Sequence, residues 1–189
     1  NEENLIENIK KFNGCFLYLP TFRSDGTDYT HPLESLKIRE FLKKNNCLWI
    51  EKPHSASKIV FKDTGDNIIC LESSFDVNVL YPYISAIVSD YSSCVFDAIY
   101  RKIPTIIYAP DLYEYQNGSN GLLFDLNDYC KPILTMNLKD LFHQMILISK
   151  FDFFSQKGML ELYSKIREEH WSNIDSSYEK IWSDIKKLN

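Results

Sequence analysis

The sequence predicts a single α/β domain, an open parallel sheet flanked by helices. Short runs rich in β-branched and aromatic residues alternate with segments of helical periodicity from one end of the chain to the other, the pattern of strands joined by crossover helices. No internal repeat, low-complexity tract or linker-like stretch divides that alternation. The 189 residues, 44% hydrophobic and 14% aromatic, are enough for one full core and tight for two, so residues 1–189 are expected to form one domain.

Taken in order, Cys15-Phe-Leu-Tyr-Leu reads as the first strand, stopped by Pro20. Pro32 to Lys44 follows as a helix, with Leu33, Leu36, Ile38, Phe41 and Leu42 at near-helical spacing. Leu48-Trp-Ile is the second strand and Asn67-Ile-Ile-Cys-Leu the third. Asp76 to Tyr81 is expected as a short helix begun by an acidic cap, and Ile84-Ser-Ala-Ile-Val as a fourth strand running into Ser89-Asp-Tyr-Ser-Ser. A helix from Ser92 to Tyr100 then leads to the strand Thr105-Ile-Ile-Tyr. Asp111 to Asp128 holds Gly118 and Gly121 among polar residues and is expected as a loop with about one turn of helix. Leu138 to Ser149 and Gly158 to His170 read as helices. The last segment carries Ile174, Tyr178, Ile181, Trp182, Ile185 and Leu188 on one stripe, an amphipathic helix expected to dock on the domain's own sheet rather than on another protein or a membrane surface.

Composition narrows the function. Twenty-one Lys and Arg against 26 Asp and Glu give a net charge of −5, with only six Gly and seven Pro. This disfavours disorder, collagen-like repeats and a general nucleic-acid binder, and any anion has to bind at a local site. Five cysteines, Cys15, Cys47, Cys70, Cys94 and Cys130, lie far apart without a C-x-x-C pair and read as reduced core thiols. No apolar run approaches the roughly 20 residues of a membrane span, and the acidic start Asn1-Glu-Glu-Asn has no signal-peptide core. A cytoplasmic location follows, with contact to the inner face of the cell membrane only peripheral. Because the first residue is Asn rather than Met, the chain is expected to be part of a longer polypeptide.

In an open parallel sheet, ligands bind at the carboxyl ends of the strands, and three of the loops there are chemically rich: Pro20-Thr-Phe-Arg-Ser-Asp, Glu51-Lys-Pro-His-Ser and Ser89-Asp-Tyr-Ser-Ser-Cys-Val-Phe-Asp. Ser92 and Ser93 fall where a helix begins, so hydroxyls and free backbone N–H groups together suit a phosphate or pyrophosphate. Asp97, four residues beyond Ser93, lies one turn down on the same face and suits the hydroxyls of a ribose. A plain N-cap at Ser92 and a first-turn acid at Asp97 is the alternative. Lys52 and His54 follow the second strand, placed to neutralise and hydrogen-bond a diphosphate leaving group. Arg23 is either a further phosphate partner or a surface arginine. His31, His143 and His170 have no such company and read as solvated or half-buried. P-loop, G-x-G-x-x-G, H-E-x-x-H and G-x-S-x-G motifs are absent from the sequence.

In this order the loops resemble the carboxyl-terminal nucleotide-binding half of the CDP-glycerol glycerophosphotransferases, the teichoic-acid and capsule polymerases and primases of bacteria. The residues carrying the resemblance are Pro20-Thr-Phe-Arg, Lys52-Pro-His-Ser, Ser89-Asp-Tyr-Ser-Ser with Asp97, Lys102-Ile-Pro-Thr-Ile-Ile-Tyr, Asp111-Leu-Tyr-Glu-Tyr and Asn120-Gly-Leu-Leu-Phe-Asp. They span roughly residues 14 to 150, and the Asp-Tyr-Ser-Ser block with the strand after it is the most specific part. Ser55 stands where the family has proline, Asn120 where it has arginine, and Lys131 where it has a glycine before proline.

The resemblance implies a Rossmann-like domain forming the carboxyl-terminal, donor-binding half of a GT-B glycosyltransferase. It makes Ser92 and Ser93 ligands of the donor pyrophosphate and Asp97 of the ribose. Lys52 and the candidate catalytic residue His54 meet the phosphates, while Thr21 and Arg23 close the site. No metal or other cofactor is implied, since positive groups and helix starts stabilise the departing nucleotide phosphate. The implied partners are a nucleotide-activated donor such as CDP-glycerol, a polymer or lipid-linked acceptor, and an amino-terminal acceptor domain that supplies the acceptor-activating base. Two rival readings are a CMP-sugar-dependent capsule transferase and a non-catalytic assembly module.

Overall fold

The computed structural model describes residues 2–23, 29–54, 56, 65–118, 121–171 and 177–187. Its centre is four strands buried along nearly their whole length: β1 (Gly14–Leu19), β2 (Cys47–Glu51), β4 (Ala86–Ser89) and β5 (Thr105–Tyr108). Continuous apolar runs of this kind are what a parallel sheet covered on both faces demands. β3 (Ile68–Cys70) and β6 (Leu134–Thr135) form the two edges. The strand order is β3-β2-β1-β4-β5-β6, every pairing parallel, with Leu17 of β1 opposite both Ile50 and Ile87. The sheet therefore grows outward in one direction from β1 to β3 and in the other from β4 to β6. The crevice between the carboxyl ends of β1 and β4 is its topological switch point.

Alternate side chains feed two cores. Phe16, Tyr18, Trp49, Val88 and Tyr108 face α2 (Leu36–Lys44) and α6 (Leu138–Lys150), meeting Ile38, Phe41, Leu42, Leu141 and Met145. On the opposite face Leu17, Ile50 and Ile87 meet Ile9 of α1 (Glu2–Ile9), Leu80 and Tyr81 of a 3-10 turn at Val77–Tyr83, and Ala98 of α3 (Cys94–Tyr100). Ile107 packs with Val95 and Ile99 of α3 and with Leu162, Tyr163 and Ile166 of α7 (Met159–His170). That last helix is entered through Gly158 at φ 84°, a left-handed conformation that suits a residue without Cβ.

The structure departs from expectation in several places. Helix α2 starts at Leu36 because Pro32–Glu34 is a separate 3-10 turn, with Leu33 buried and Leu36 73% exposed. The expected loop at 111–128 instead holds α4 (Leu112–Asn117) and α5 (Leu126–Tyr129), each anchored by one buried leucine. Asp125 caps α5 by accepting the Asn127 N–H at 2.8 Å. Helix α1 and the two-residue β6 carry too few apolar positions to have stood out. All five cysteines are free thiols, but Cys70, at the end of edge strand β3, is exposed rather than in the core. The final helix, α8 (Ser177–Lys187), exposes Trp182 by 50% and Ile185 by 45%, so that part of its stripe does not dock on the sheet. Ile174 and Leu188, and the side chains of Tyr178 and Ile181, lie outside the described residues. No helix among the described residues is long and apolar enough to cross a membrane.

Candidate functional site

At the switch point Leu19 of β1 lies opposite Ser89 of β4, and the Ser89 hydroxyl donates to the Leu19 carbonyl at 2.6 Å, fastening the two strand ends together. The chain then leaves β4 through Asp90, which is 3% exposed. Its carboxylate accepts the Thr21 N–H at 2.9 and 3.0 Å, the Thr21 hydroxyl at 2.5 Å and the Tyr91 N–H at 2.7 Å. Arg23 completes the set. Its Nη1 lies 2.9 Å from Asp90 Oδ2 and donates to the Thr21 carbonyl at 2.7 Å. Its Nε and Nη2 form a fork on Asp111, at 2.6 and 3.2 Å, and the Tyr91 hydroxyl donates to the same carboxylate at 2.9 Å.

Three rings close around this guanidinium: its carbon sits 4.9 Å from the ring centre of Tyr29, 4.8 Å from Tyr91 and 5.3 Å from Tyr115. Tyr91 and Tyr115 stack at 3.7 Å. One cation thus ties together the loops after β1, β4 and β5 in a site where its side chain is 6% exposed. Burial works to lower the Arg23 pKa, but the hydrogen bond to Asp111 and the charges of Asp90 and Asp111 outweigh it and raise it, so the group stays charged. Burial, followed by Asp111, pushes the Tyr91 phenol well above its ordinary range.

The end of β2 is built differently. Glu51 is buried and lies 3.0 Å from His31 Nε2, while His31 Nδ1 accepts the Leu33 N–H at 3.2 Å. With Nδ1 accepting, the neutral ring carries its proton on Nε2 and donates it to Glu51. The next residue, Lys52, is half-buried and gives its backbone N–H to the Tyr18 carbonyl at 3.1 Å. His54 is exposed, its Nδ1 accepting the Ala56 N–H at 3.2 Å and its ring stacked 6.2 Å from Phe22. Its neutral form therefore turns an Nε2–H donor outward from that contact.

Ser92 and Ser93 follow the Asp90 anchor directly. The Ser92 hydroxyl accepts the Cys94 N–H at 3.4 Å, whereas Ser93 is exposed, already helical in backbone and makes no side-chain cap. Asp97 is exposed on the first turn of α3. Neighbouring strands lie about 4.8 Å apart, so the ends of β2 and β4, separated only by β1, stand about 10 Å from each other. Lys52, His54, Ser92, Ser93 and Asp97 thus all issue from one edge of the sheet, around its switch point.

Thr21 and Arg23, which the resemblance has closing the donor site, here face carboxylates of the protein itself. Their polar groups are committed to Asp90 and Asp111, carboxylates that would otherwise be buried without a counter-charge. Asp90, Tyr91, Asp111 and the His31–Glu51 pair escaped the sequence reading. A usable signal was present: an acid placed directly after a buried apolar strand must find a partner, and Arg23 leaves the adjacent strand end. Of the two states expected for His31, solvated or half-buried, the structure shows the second, with the ring paired to Glu51.

A parallel sheet in this order, with polar loops gathered at the switch point, defines a Rossmann-like α/β domain. The chain belongs to the CDP-glycerol:poly(glycerophosphate) glycerophosphotransferase family, whose model matches residues 3–173. It is 30% identical over 104 residues to a teichoic acid ribitol-phosphate primase of Bacillus spizizenii, covering 52% of this chain and 26% of that protein. It is 28% identical over 114 residues to the teichoic acid ribitol-phosphate polymerase TarL of Staphylococcus aureus, covering 57% of this chain and 20% of that one. Among solved structures, a variant of the wall teichoic acid polymerase TagF soaked with CDPG superposes on the whole chain with a TM-score of 0.63 at 18% identity, the match covering 48% of TagF. At that identity the likeness is one of fold.

Proposed function

We propose that this chain is the donor-binding domain of a transferase of teichoic-acid or capsule synthesis, holding a CDP-activated polyol such as CDP-glycerol for transfer to a polymer or lipid-linked acceptor. The observation that carries this is the gathering of Ser92, Ser93, Lys52 and His54 around the switch point of a Rossmann-ordered sheet. The Ser93 hydroxyl and the backbone beside it receive the pyrophosphate, Asp97 takes the ribose hydroxyls, and Lys52 neutralises phosphate charge.

In the transfer, an acceptor hydroxyl bonds to the phosphorus bearing the polyol while the bond from that phosphorus to the bridging oxygen breaks and CMP leaves. Charge grows on the departing phosphate. The His54 Nε2–H and the Lys52 ammonium stabilise it there, where they act more strongly on the transition state than on the bound donor. No residue of this site is assigned as the base for the acceptor, and that group is proposed to come from an amino-terminal acceptor domain. The donor is a soluble nucleotide and the acceptor is lipid- or polymer-linked, which places the reaction at the inner face of the membrane, in peripheral contact.

Calorimetric titration with CDP, CMP and UDP, on the parent chain and on Ser92→Ala/Ser93→Ala, tests the reading. Binding of CDP that the double variant loses is expected. A CMP-sugar bound more tightly than CDP-glycerol would move the assignment to a CMP-sugar transferase, and no binding of CDP, CMP or UDP would favour an assembly module.

A further inference from the structure

Resting on that donor-site reading, we propose that Arg23 is a positioning residue: it sets the Asp90–Ser93 loop, and through it the two serines, without touching the donor. The argument begins with what Asp90 does. Its carboxylate accepts the N–H of the residue after it, Tyr91, at 2.7 Å, so the orientation of the side chain and the direction of the backbone toward Ser92 and Ser93 are coupled. That orientation is fixed from the other side by Thr21 and by Arg23 Nη1.

Arg23 is itself held in a plane by its fork on Asp111 and by the rings of Tyr29, Tyr91 and Tyr115. Tyr91 closes the circuit, because its hydroxyl bonds Asp111 while its ring covers the guanidinium. The residue immediately before Ser92 is thus gripped at backbone, ring and hydroxyl by one Arg23-centred network. A planar five-donor fork suits this geometry, and a lysine ammonium retains the charge without the plane.

The test uses the full chain and three variants, Arg23→Lys, Arg23→Met and Asp111→Asn. The last removes one charge at nearly constant shape and covers the case in which Arg23→Met fails to fold. Two readouts are taken: backbone amide NMR shifts of Tyr91, Ser92 and Ser93 without nucleotide, and the CDP affinity of the folded fraction. The amides of 91–93 are expected to move in every variant while those of Leu162 and Ile166 in α7 stay in place. CDP binding is expected to weaken about tenfold in Arg23→Lys and about a hundredfold in Arg23→Met, so that the conservative change rescues part of the loss.

A merely structural arginine would lower the melting temperature and leave the folded fraction's affinity at the parent value, and that result overturns the proposal. Unmoved amides at 91–93 in Arg23→Lys and Asp111→Asn overturn it too. If the parent chain binds no CDP, the donor-site reading fails on its own, and the amide shifts still decide whether Arg23 sets the loop.

Discussion

Two neighbouring corners of the same sheet edge solve opposite problems. Around β1, β4 and β5, Arg23, Asp90 and Asp111 are each nearly withdrawn from water, satisfied by one another and walled by tyrosines. At the end of β2 one buried pair, His31 with Glu51, holds the strand terminus, and His54 beyond it is exposed with a backbone N–H and the Phe22 ring as its contacts. The first arrangement gives fixed loop geometry, since a buried charge without its partner is costly and every alternative loop path separates the partners. The second leaves a donor group accessible to a ligand. A phosphate site needs both: serines held in place on one side, and on the other a cation and an imidazole able to meet the charge as it develops.

The sharpest break of this contrast is Asp90→Ala. It leaves Arg23 with one carboxylate and strips partners from the Thr21 and Tyr91 N–H groups, so unfolding in urea should show a loss of about 3–5 kcal/mol. A loss below about 1 kcal/mol would mean that solvent reaches this corner readily.

Alkali should act on the same corner. Burial lifts the Tyr29 phenol from its ordinary 10 to about 12. A phenol whose pKa is raised by folding lends stability that is intact below pH 10 and is lost as pH climbs toward 12. One such group accounts for about 2–3 kcal/mol across that span. In Tyr29→Phe that share of the alkaline decline should disappear from pH-dependent unfolding curves, although removing the 3.0 Å Tyr18–Tyr29 hydroxyl contact costs about 1 kcal/mol at neutral pH.

How much of this was legible beforehand depended on the kind of signal. The central strands were readable because Cys15–Leu19, Leu48–Ile50 and Thr105–Tyr108 are unbroken apolar runs, as burial on both faces requires. β6, with two residues, and α4 and α5, each with a single buried leucine, owe their existence to tertiary contacts rather than to periodicity. The candidate serines and His54 rest on chain-local spacing, which places them at strand ends. The Arg23 network was harder to read: the acid after β4 signals that a partner is needed, but the partners lie 67 and 88 positions from Arg23 and only strand order brings them together.

At the β2 end the expected effects shrink. His31→Ala leaves the Glu51 carboxylate buried without its 3.0 Å donor, and thermal or urea unfolding should register a loss of about 2 kcal/mol, smaller than for Asp90→Ala because one bond rather than a network is removed. His54→Ala should change stability by less than about 0.5 kcal/mol, since the side chain is exposed and releases a 3.2 Å contact to a backbone N–H and a 6.2 Å ring stack on Phe22. Its effect belongs elsewhere: CDP affinity should fall about tenfold, the worth of one charge-assisted hydrogen bond to phosphate. A variant with unchanged unfolding and weakened binding would establish that the exposed end is kept for the ligand rather than for the fold. Weakened binding together with a stability loss near that of His31→Ala would instead mean that His54 acts by holding the strand end, and the division between a rigid corner and an accessible one would fail at that residue.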